Sequence, residues 1–171
     1  MLVDREVNLR PLVIEDAKEL AALINNKKIL DNLRDVIPFP YSDQDAENFI
    51  HSHKDVSTAH VFAITYQDKF CGVIGLFRQP DVYRFTAEIG YWIGEPYWNK
   101  GIGTKAIQLI TNHGFNEQNF IRIHTGIFEY NKPSMRVLEK CGYEKDGVFK
   151  KSVIKNGLMW DEHRYSKVKK D

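Results

Sequence analysis

The chain is predicted to fold as a mixed α/β domain around a mostly antiparallel sheet, with elements in the order β-α-α-β-β-β-α-β-α-β-β. Three features of the sequence predict this. Three β-like runs, "HVFAITY", "CGVIGLF" and "RFTAEIGYWI", follow one another with only short polar turns between them, the pattern of an antiparallel meander. A helical pattern then separates the third run from a further strand, so these two are joined by a crossover. Near the end, Asn156-Gly157 sits between two extended runs and is the strongest two-residue hairpin signal.

Each element has its own warrant. "VNLRPL" alternates apolar and polar residues and predicts the first strand. "DAKELAALI" places Ala17, Leu20, Ala21 and Ile24 on one helical face, with Asp16 and Glu19 spaced as a capping pair. The two prolines of "IPFPY" exclude a helix there. Ser42 then caps a second helix that turns Ala46, Phe49 and Ile50 inward. After the meander, Ile102, Ala106, Leu109 and Ile110 recur at helical spacing in a helix expected to run to about Asn119. "IRIHTGIF" is a strand and "PSMRVLEKC" a short helix, with Pro133 at its start and Gly142 at its end.

At 171 residues and 43% hydrophobic, the chain suits a single domain spanning residues 1–171. A formal net charge of +1, from 24 basic and 23 acidic side chains, gives no footprint for nucleic acid or an anionic membrane. Cys71 and Cys141 are far apart and outside any Cys-x-x-Cys pair, which favours a reducing compartment over a disulfide framework. Asp4, Arg5, Glu6 and Arg10 interrupt the start, and no apolar run approaches membrane-spanning length. The expectation is a soluble, cytoplasmic protein. His51 and His53 point to different faces of their helix, so no metal pair is expected.

The stretch "WNKGIGTKAIQLI" leaves the first turn of the long helix bare. Glycine weakens a helix by about 0.5–1 kcal/mol relative to alanine, so Gly101 and Gly103 call for a cause. A bare helix N-terminus favours an anion, through its unpaired N–H groups and its dipole. Lys100 adds a positive charge. The alternative is a plain structural turn. Gly101, Gly103 and Ala106 also satisfy the dinucleotide fingerprint, with Glu129 ending the next strand. That fingerprint requires the glycines to follow their strand directly. Here "GEPYWNK" intervenes, which argues against a dinucleotide fold.

Together with "NKPSMRVLEKCGY", this stretch resembles the GCN5-related N-acetyltransferases (GNAT), and more narrowly their ribosomal-protein (RimJ/RimL-like) branch. The family's loop Arg/Gln-x-x-Gly-x-Gly/Ala is matched by Trp98-Asn99-Lys100-Gly101-Ile102-Gly103, with tryptophan departing from the pattern at its first place. Its Asn-x-x-Ser/Ala…Glu-Lys-x-Gly-Phe/Tyr stretch is matched by Asn131, Ser134, Glu139, Lys140, Gly142 and Tyr143. "AEIGYWI" before the loop is similar to that branch, and the element order agrees along nearly the whole chain.

The resemblance implies an acetyl-CoA site. Its pantetheine arm would pair with the backbone of Tyr91, Trp92 and Ile93, its pyrophosphate would lie on residues 99–104 (Asn99 to Thr104), and Asn131 and Ser134 would line it from the other side. The implied reaction is direct acetyl transfer to a primary amine, first among them a protein N-terminal α-amino group. Polyamines and antibiotics are the alternative acceptors, and a non-catalytic acyl-CoA-binding module is the alternative from another class. A homodimer is left open.

Acyl transfer to an amine needs a base, a stabilised oxyanion and a partner for the leaving thiolate. Phe85, Ala87, Ile89, Tyr91 and Ile93 share one strand face, while Thr86, Glu88, Gly90 and Trp92 share the other. Glu88 matches a position where family members carry a general base, and His124 is the alternative. Many family members place a tyrosine seven residues after the motif asparagine, but here that place is Leu138, which leaves Ser134 as the candidate donor to the thiolate. The segment between the first two helices carries Asp31, Asp35, Asp43, Asp45 and Glu47, which are expected either to favour a cationic amine or to form a solvated face.

Overall fold

Eight strands hydrogen-bond into one sheet in the order β1-β2-β3-β4-β5-β6-β8-β7 in the computed structural model, which describes residues 1–4, 6–53 and 59–170. In chain order these are β1 (Leu2–Asp4), β2 (Val7–Pro11), β3 (Ala59–Tyr66), β4 (Lys69–Arg78), β5 (Thr86–Ile93), β6 (Arg122–Phe128), β7 (Glu144–Lys155) and β8 (Leu158–Val168). The helices are α1 (Ala17–Ile24), α2 (Lys27–Leu30), α3 (Asp43–Ser52), α4 (Ile102–Asn116) and α5 (Lys132–Lys140). Adjacent strands pair antiparallel except β5 and β6, which are parallel and linked through α4.

The sheet is covered on both faces. On one, Ile102, Ala106, Ile107 and Ile110 of α4 pack with Met135 and Leu138 of α5 onto Ile74, Leu76, Ile89 and Ile123. On the other, Ala17, Leu20 and Ile24 of α1 and Ala46 and Ile50 of α3 pack onto Val61, Ala63 and Val73. Fully burying a side chain such as Ile107 or Ile110 contributes about 1.5–3 kcal/mol, so these apolar stripes position the helices. Tyr91 and Ile93 lie against the α4/α5 core, and Trp92 against the α1/α3 core.

Several local expectations are corrected. The strand Leu2–Asp4 and the one-turn helix Lys27–Leu30 add to the predicted order. Asp16 does not form a capping pair with Glu19. Its carboxylate accepts both Arg10 nitrogens at 2.7 Å and the Val13 N–H at 3.0 Å, tying β2 to the turn before α1. Helix α4 ends at Asn116, short of Asn119, which adopts φ 58°. Phe85 precedes β5 and is exposed, with the Arg84 guanidinium over its ring. Cys71 and Cys141 are buried free thiols, and burial pushes that of Cys71 up to about 12. Among the described residues no helix is long and apolar enough to cross a membrane, and no cluster of three or more His, Cys, Asp or Glu could hold a metal.

Candidate active site

Strands β5 and β6 begin side by side and then part. They pair only through Thr86–Arg122, Ala87–Ile123 and Glu88–His124. Beyond that point β5 continues on β4 and β6 on β8, so a wedge opens between them. Backbone alternation decides which groups face the wedge. The Thr86 carbonyl and Gly94 N–H bond to Gln79 and Cys71 on the β4 side, whereas the Phe85 carbonyl accepts Ile121 N–H on the other. Tyr91 and Ile93 therefore turn their backbone groups toward the opening. Trp92 does not: its backbone faces Val73, and its ring packs edge-on against Phe70.

The loop at the wide end of the wedge is shaped by two left-handed residues, Asn99 at φ 61° and Gly101 at φ 75°. At Gly101 a side chain would have open space but would carry a left-handed strain of roughly 1–2 kcal/mol. Gly101 is the N-cap of α4, and among the described residues no side-chain capping hydrogen bond closes this helix start. Gly103 differs. A Cβ there would meet Ile93 Cδ1 at 3.4 Å and Val137 Cγ1 at 3.7 Å, ordinary contacts, so protein packing does not demand glycine. Ile102 points into the core, which leaves its backbone to the loop. Trp98 donates its indole N–H to the Ile93 carbonyl at 2.7 Å, fixing the loop to the end of β5. The Lys100 ammonium lies 5.5 Å from the Tyr97 ring centroid.

Helix α5 closes the other side. Asn131 Oδ1 accepts the Ser134 N–H at 3.3 Å and caps the helix. Ser134 Oγ lies 2.6 Å from the Tyr91 hydroxyl, so this helix and the open stretch of β5 touch through two hydroxyl groups. Leu138 is fully buried in the core.

At the apex, Glu88 and His124 are paired neighbours on the face away from α4. Glu88 is 24% exposed, and its Oε1 accepts from Arg34 Nη2 at 2.5 Å. Arg164 Nη2 lies 3.2 Å from His124 Nδ1. A guanidinium can only donate, so Nδ1 accepts and Nε2 carries the ring proton. Burial, followed by the Arg164 charge, holds His124 below the ordinary imidazole range. Arg164 also donates to Glu162 at 3.0 Å. The Glu162 carboxylate folds over Gly126, where a Cβ would approach Oε1 to 2.2 Å.

The acidic segment is largely committed to the fold. Asp31 accepts from Lys27 and Asn156, each at 2.9 Å, and Asp35 accepts from Lys155 at 2.6 Å. Asp45 completes a capping box with Ser42, while Asp43 sits in the first turn of α3. Glu47 accepts from Gln44 at 3.4 Å. Sequence reasoning missed Arg34, Glu162, Arg164 and the Tyr91 hydroxyl. The alternation of Glu162, Arg164 and Ser166 along β8 could have marked a polar face; Arg34 carried no signal.

A family model described as an acetyltransferase (GNAT) domain matches residues 6–144. A Bacillus subtilis (strain 168) protein described as "probable N-acetyltransferase YjcK" is 30% identical over 171 residues, covering 96% of this chain and 94% of its own. Two Escherichia coli (strain K12) relatives are a ribosomal-protein-serine acetyltransferase, 25% identical over 97% of this chain and 94% of its own, and a spermidine N(1)-acetyltransferase, 24% identical over 88% and 80%. Among solved structures, the Microcin C7 self immunity acetyltransferase MccE in complex with acetyl-CoA and AMP superimposes with a TM-score of 0.83 at 30% identity, covering 96% of this chain and 93% of that one. With the fold, the wedge and the bare loop already in place, these likenesses are decisive: the chain belongs to the GNAT family of N-acetyltransferases.

Proposed function

We propose that this acetyltransferase moves the acetyl group of acetyl-CoA directly to a protein N-terminal α-amino group held at the apex of the wedge. The observation that carries this reading is the open edge of β5 beside an uncapped helix start, with Glu88 at the point where the strands part. Acetyl-CoA supplies the thioester. The Tyr91 and Ile93 backbones face the pantetheine arm, although the Ile93 carbonyl already holds Trp98. Residues Asn99, Lys100, Gly101, Ile102, Gly103 and Thr104 receive the pyrophosphate through backbone N–H groups, with Lys100 adding charge. Asn131 and Ser134 line the side formed by α5. Gly103 supports this cradle because the protein's own packing leaves room for a Cβ.

Glu88 accepts the amine proton, directly or through one water. His124 is the weaker choice because its Nδ1 lone pair is already bonded to Arg164. The nitrogen attacks the thioester carbonyl carbon, the C–S bond breaks, and sulfur keeps the electron pair. Ser134 donates a hydrogen bond to that sulfur, and the thiolate takes its proton from solvent. An α-amine with a pKa of about 7.8 is neutral in roughly one molecule in seven at pH 7, against of order one in two thousand for lysine. A polyamine acceptor, suggested by the spermidine relative, calls for several free carboxylates. The engagement of Asp31, Asp35 and Asp45 within the fold favours the α-amine.

The test is thiol release from acetyl-CoA with N-terminal peptides, spermidine and aminoglycosides offered in parallel. Peptides are expected to turn over fastest, and turnover of spermidine alone would overturn the assignment of the acceptor. Glu88→Gln is expected to lower kcat by about 10²–10⁴-fold with acetyl-CoA affinity unchanged, and the loss should shrink at high pH. Full turnover at pH 7 would remove Glu88 as the base.

A further inference from the structure

The side chain of Tyr91 meets the site separately from its backbone. It leaves β5 on the α5 side and brings its hydroxyl to 2.6 Å from Ser134 Oγ. Ser134 is thus held twice, through its N–H on Asn131 and its Oγ on Tyr91. Two hydroxyl groups at that distance share one proton, and the choice of donor fixes what the other group can do.

A phenol is the stronger acid and, because its lone pair is delocalised into the ring, the poorer acceptor. Tyrosine titrates near 10, far below an aliphatic alcohol. Burial raises the Tyr91 hydroxyl to about 12, so it keeps its proton throughout the working range. Either hydroxyl could donate at this distance, and the greater acidity of the phenol favours Tyr91 as donor and Ser134 Oγ as acceptor. The serine's own proton is then free for a second partner. Ser134 is half-buried at the first turn of α5, beside the opening that the strands leave.

We propose that Tyr91 is a positioning residue for the leaving group: its hydroxyl donates to Ser134 Oγ and so aims the Ser134 proton at the sulfur of departing coenzyme A. The proposal rests on the acetyl-CoA reading above. No proton leaves Tyr91 or Ser134 in this step. The C–S bond breaks, sulfur takes the electron pair, the amine proton goes to Glu88, and the serine hydrogen bond strengthens as sulfur gains charge. With leucine at the place of the family's tyrosine, Tyr91 acts on the same bond through an intermediary.

The experiment compares Tyr91→Phe, Ser134→Ala and the double variant. Tyr91→Phe removes one oxygen and should lower kcat about tenfold, the scale of one hydrogen bond made in the transition state. KM for acetyl-CoA should hold. Because Tyr91 acts through Ser134, the double variant should be no slower than Ser134→Ala alone. The second readout is binding of coenzyme A, compared with desulfo-coenzyme A, as pH rises through the thiol range near 8.5. In the unaltered protein, affinity for coenzyme A should rise with pH as the thiolate forms, and that for the desulfo compound should stay flat. In Tyr91→Phe the rise should shrink. An unchanged kcat, losses that multiply in the double variant, or an unmoved pH profile with binding retained would each overturn the proposal alone. Failure of either coenzyme to bind the unaltered protein would overturn the acetyl-CoA reading and this proposal with it.

Discussion

Helix α3 opens with a closed ring of hydrogen bonds, whereas α4 opens with a glycine and, among the described residues, no side-chain cap. Ser42 Oγ accepts the Asp45 N–H at 3.1 Å, and the Asp45 carboxylate returns to the Ser42 N–H at 2.8 Å. At α4 the same place is Gly101 in a left-handed conformation. Both helices bury an apolar face on the one sheet, so packing does not separate them. What differs is whether the first N–H groups are satisfied from within or kept for something else. On the proposed reading, the protein keeps local stability at one helix start and ligand capacity at the other.

Substitution at the bare end should have the largest effect. Gly103→Val should weaken acetyl-CoA binding by about tenfold or more, or about 1.4 kcal/mol, in calorimetric titration of the folded variant. Undisturbed binding in the folded variant would put the phosphates elsewhere and dissolve the contrast. At the capped end the pattern should invert. Ser42→Ala should cost about 0.5–2 kcal/mol of stability in urea unfolding and leave acetyl-CoA affinity alone. Trp98→Phe tests the strap between loop and strand. Losing one hydrogen bond of about 0.5–1.5 kcal/mol, it should weaken acetyl-CoA binding roughly threefold, and an unchanged affinity would make the strap irrelevant to the cradle.

The smallest effect lies at the far end of α4, where His113 packs against His60 with ring centroids 5.7 Å apart. Burial, then the neighbouring His113, holds His60 below the ordinary imidazole range. The folded state thus favours neutral His60, and on acidification the unfolded chain binds the proton first. Stability from this group is full above about pH 6.5 and falls as pH drops through the lower folded value. His60→Gln should flatten part of that slope in urea unfolding between pH 7.5 and 5.5. A stability that rises on acidification would contradict the assignment.

Much of this was legible because periodic burial leaves a local trace. The alternation of β5 separated Ala87 and Ile89 from Glu88 correctly, and Ser42 and Asn131 cap their helices as their spacing suggested. Elements of three or four residues left too little pattern, which hid Leu2–Asp4 and Lys27–Leu30. Asp16 misled because its partner, Arg10, lies on the preceding strand instead of the helix it begins. The polar side of the candidate site was hidden by distance. Arg34 reaches Glu88 across 54 positions, and Arg164 reaches His124 across 40. The family motif located the loop but did not foretell that Trp98 would bind the Ile93 carbonyl.

The tip of the β7–β8 hairpin carries Lys155, whose buried ammonium donates to the Leu33 carbonyl at 2.8 Å and to Asp35, 122 and 120 positions away. Asn156 reaches Asp31 across 125. During synthesis, the bare loop and both strands of the wedge emerge before this hairpin exists. The Tyr130 hydroxyl, which donates to the Asp31 carbonyl, can hold the segment carrying Arg34 earlier, but its ties to Lys155 and Asn156 form only when those residues arrive. Closing so long a loop costs only about 0.6 kcal/mol more for each doubling of its length, so the delay is one of sequence order more than of free energy. On the proposed reading, the two sides of the site thus mature at different times on a growing chain, and the contacts that fix the Arg34 segment near Glu88 are completed last.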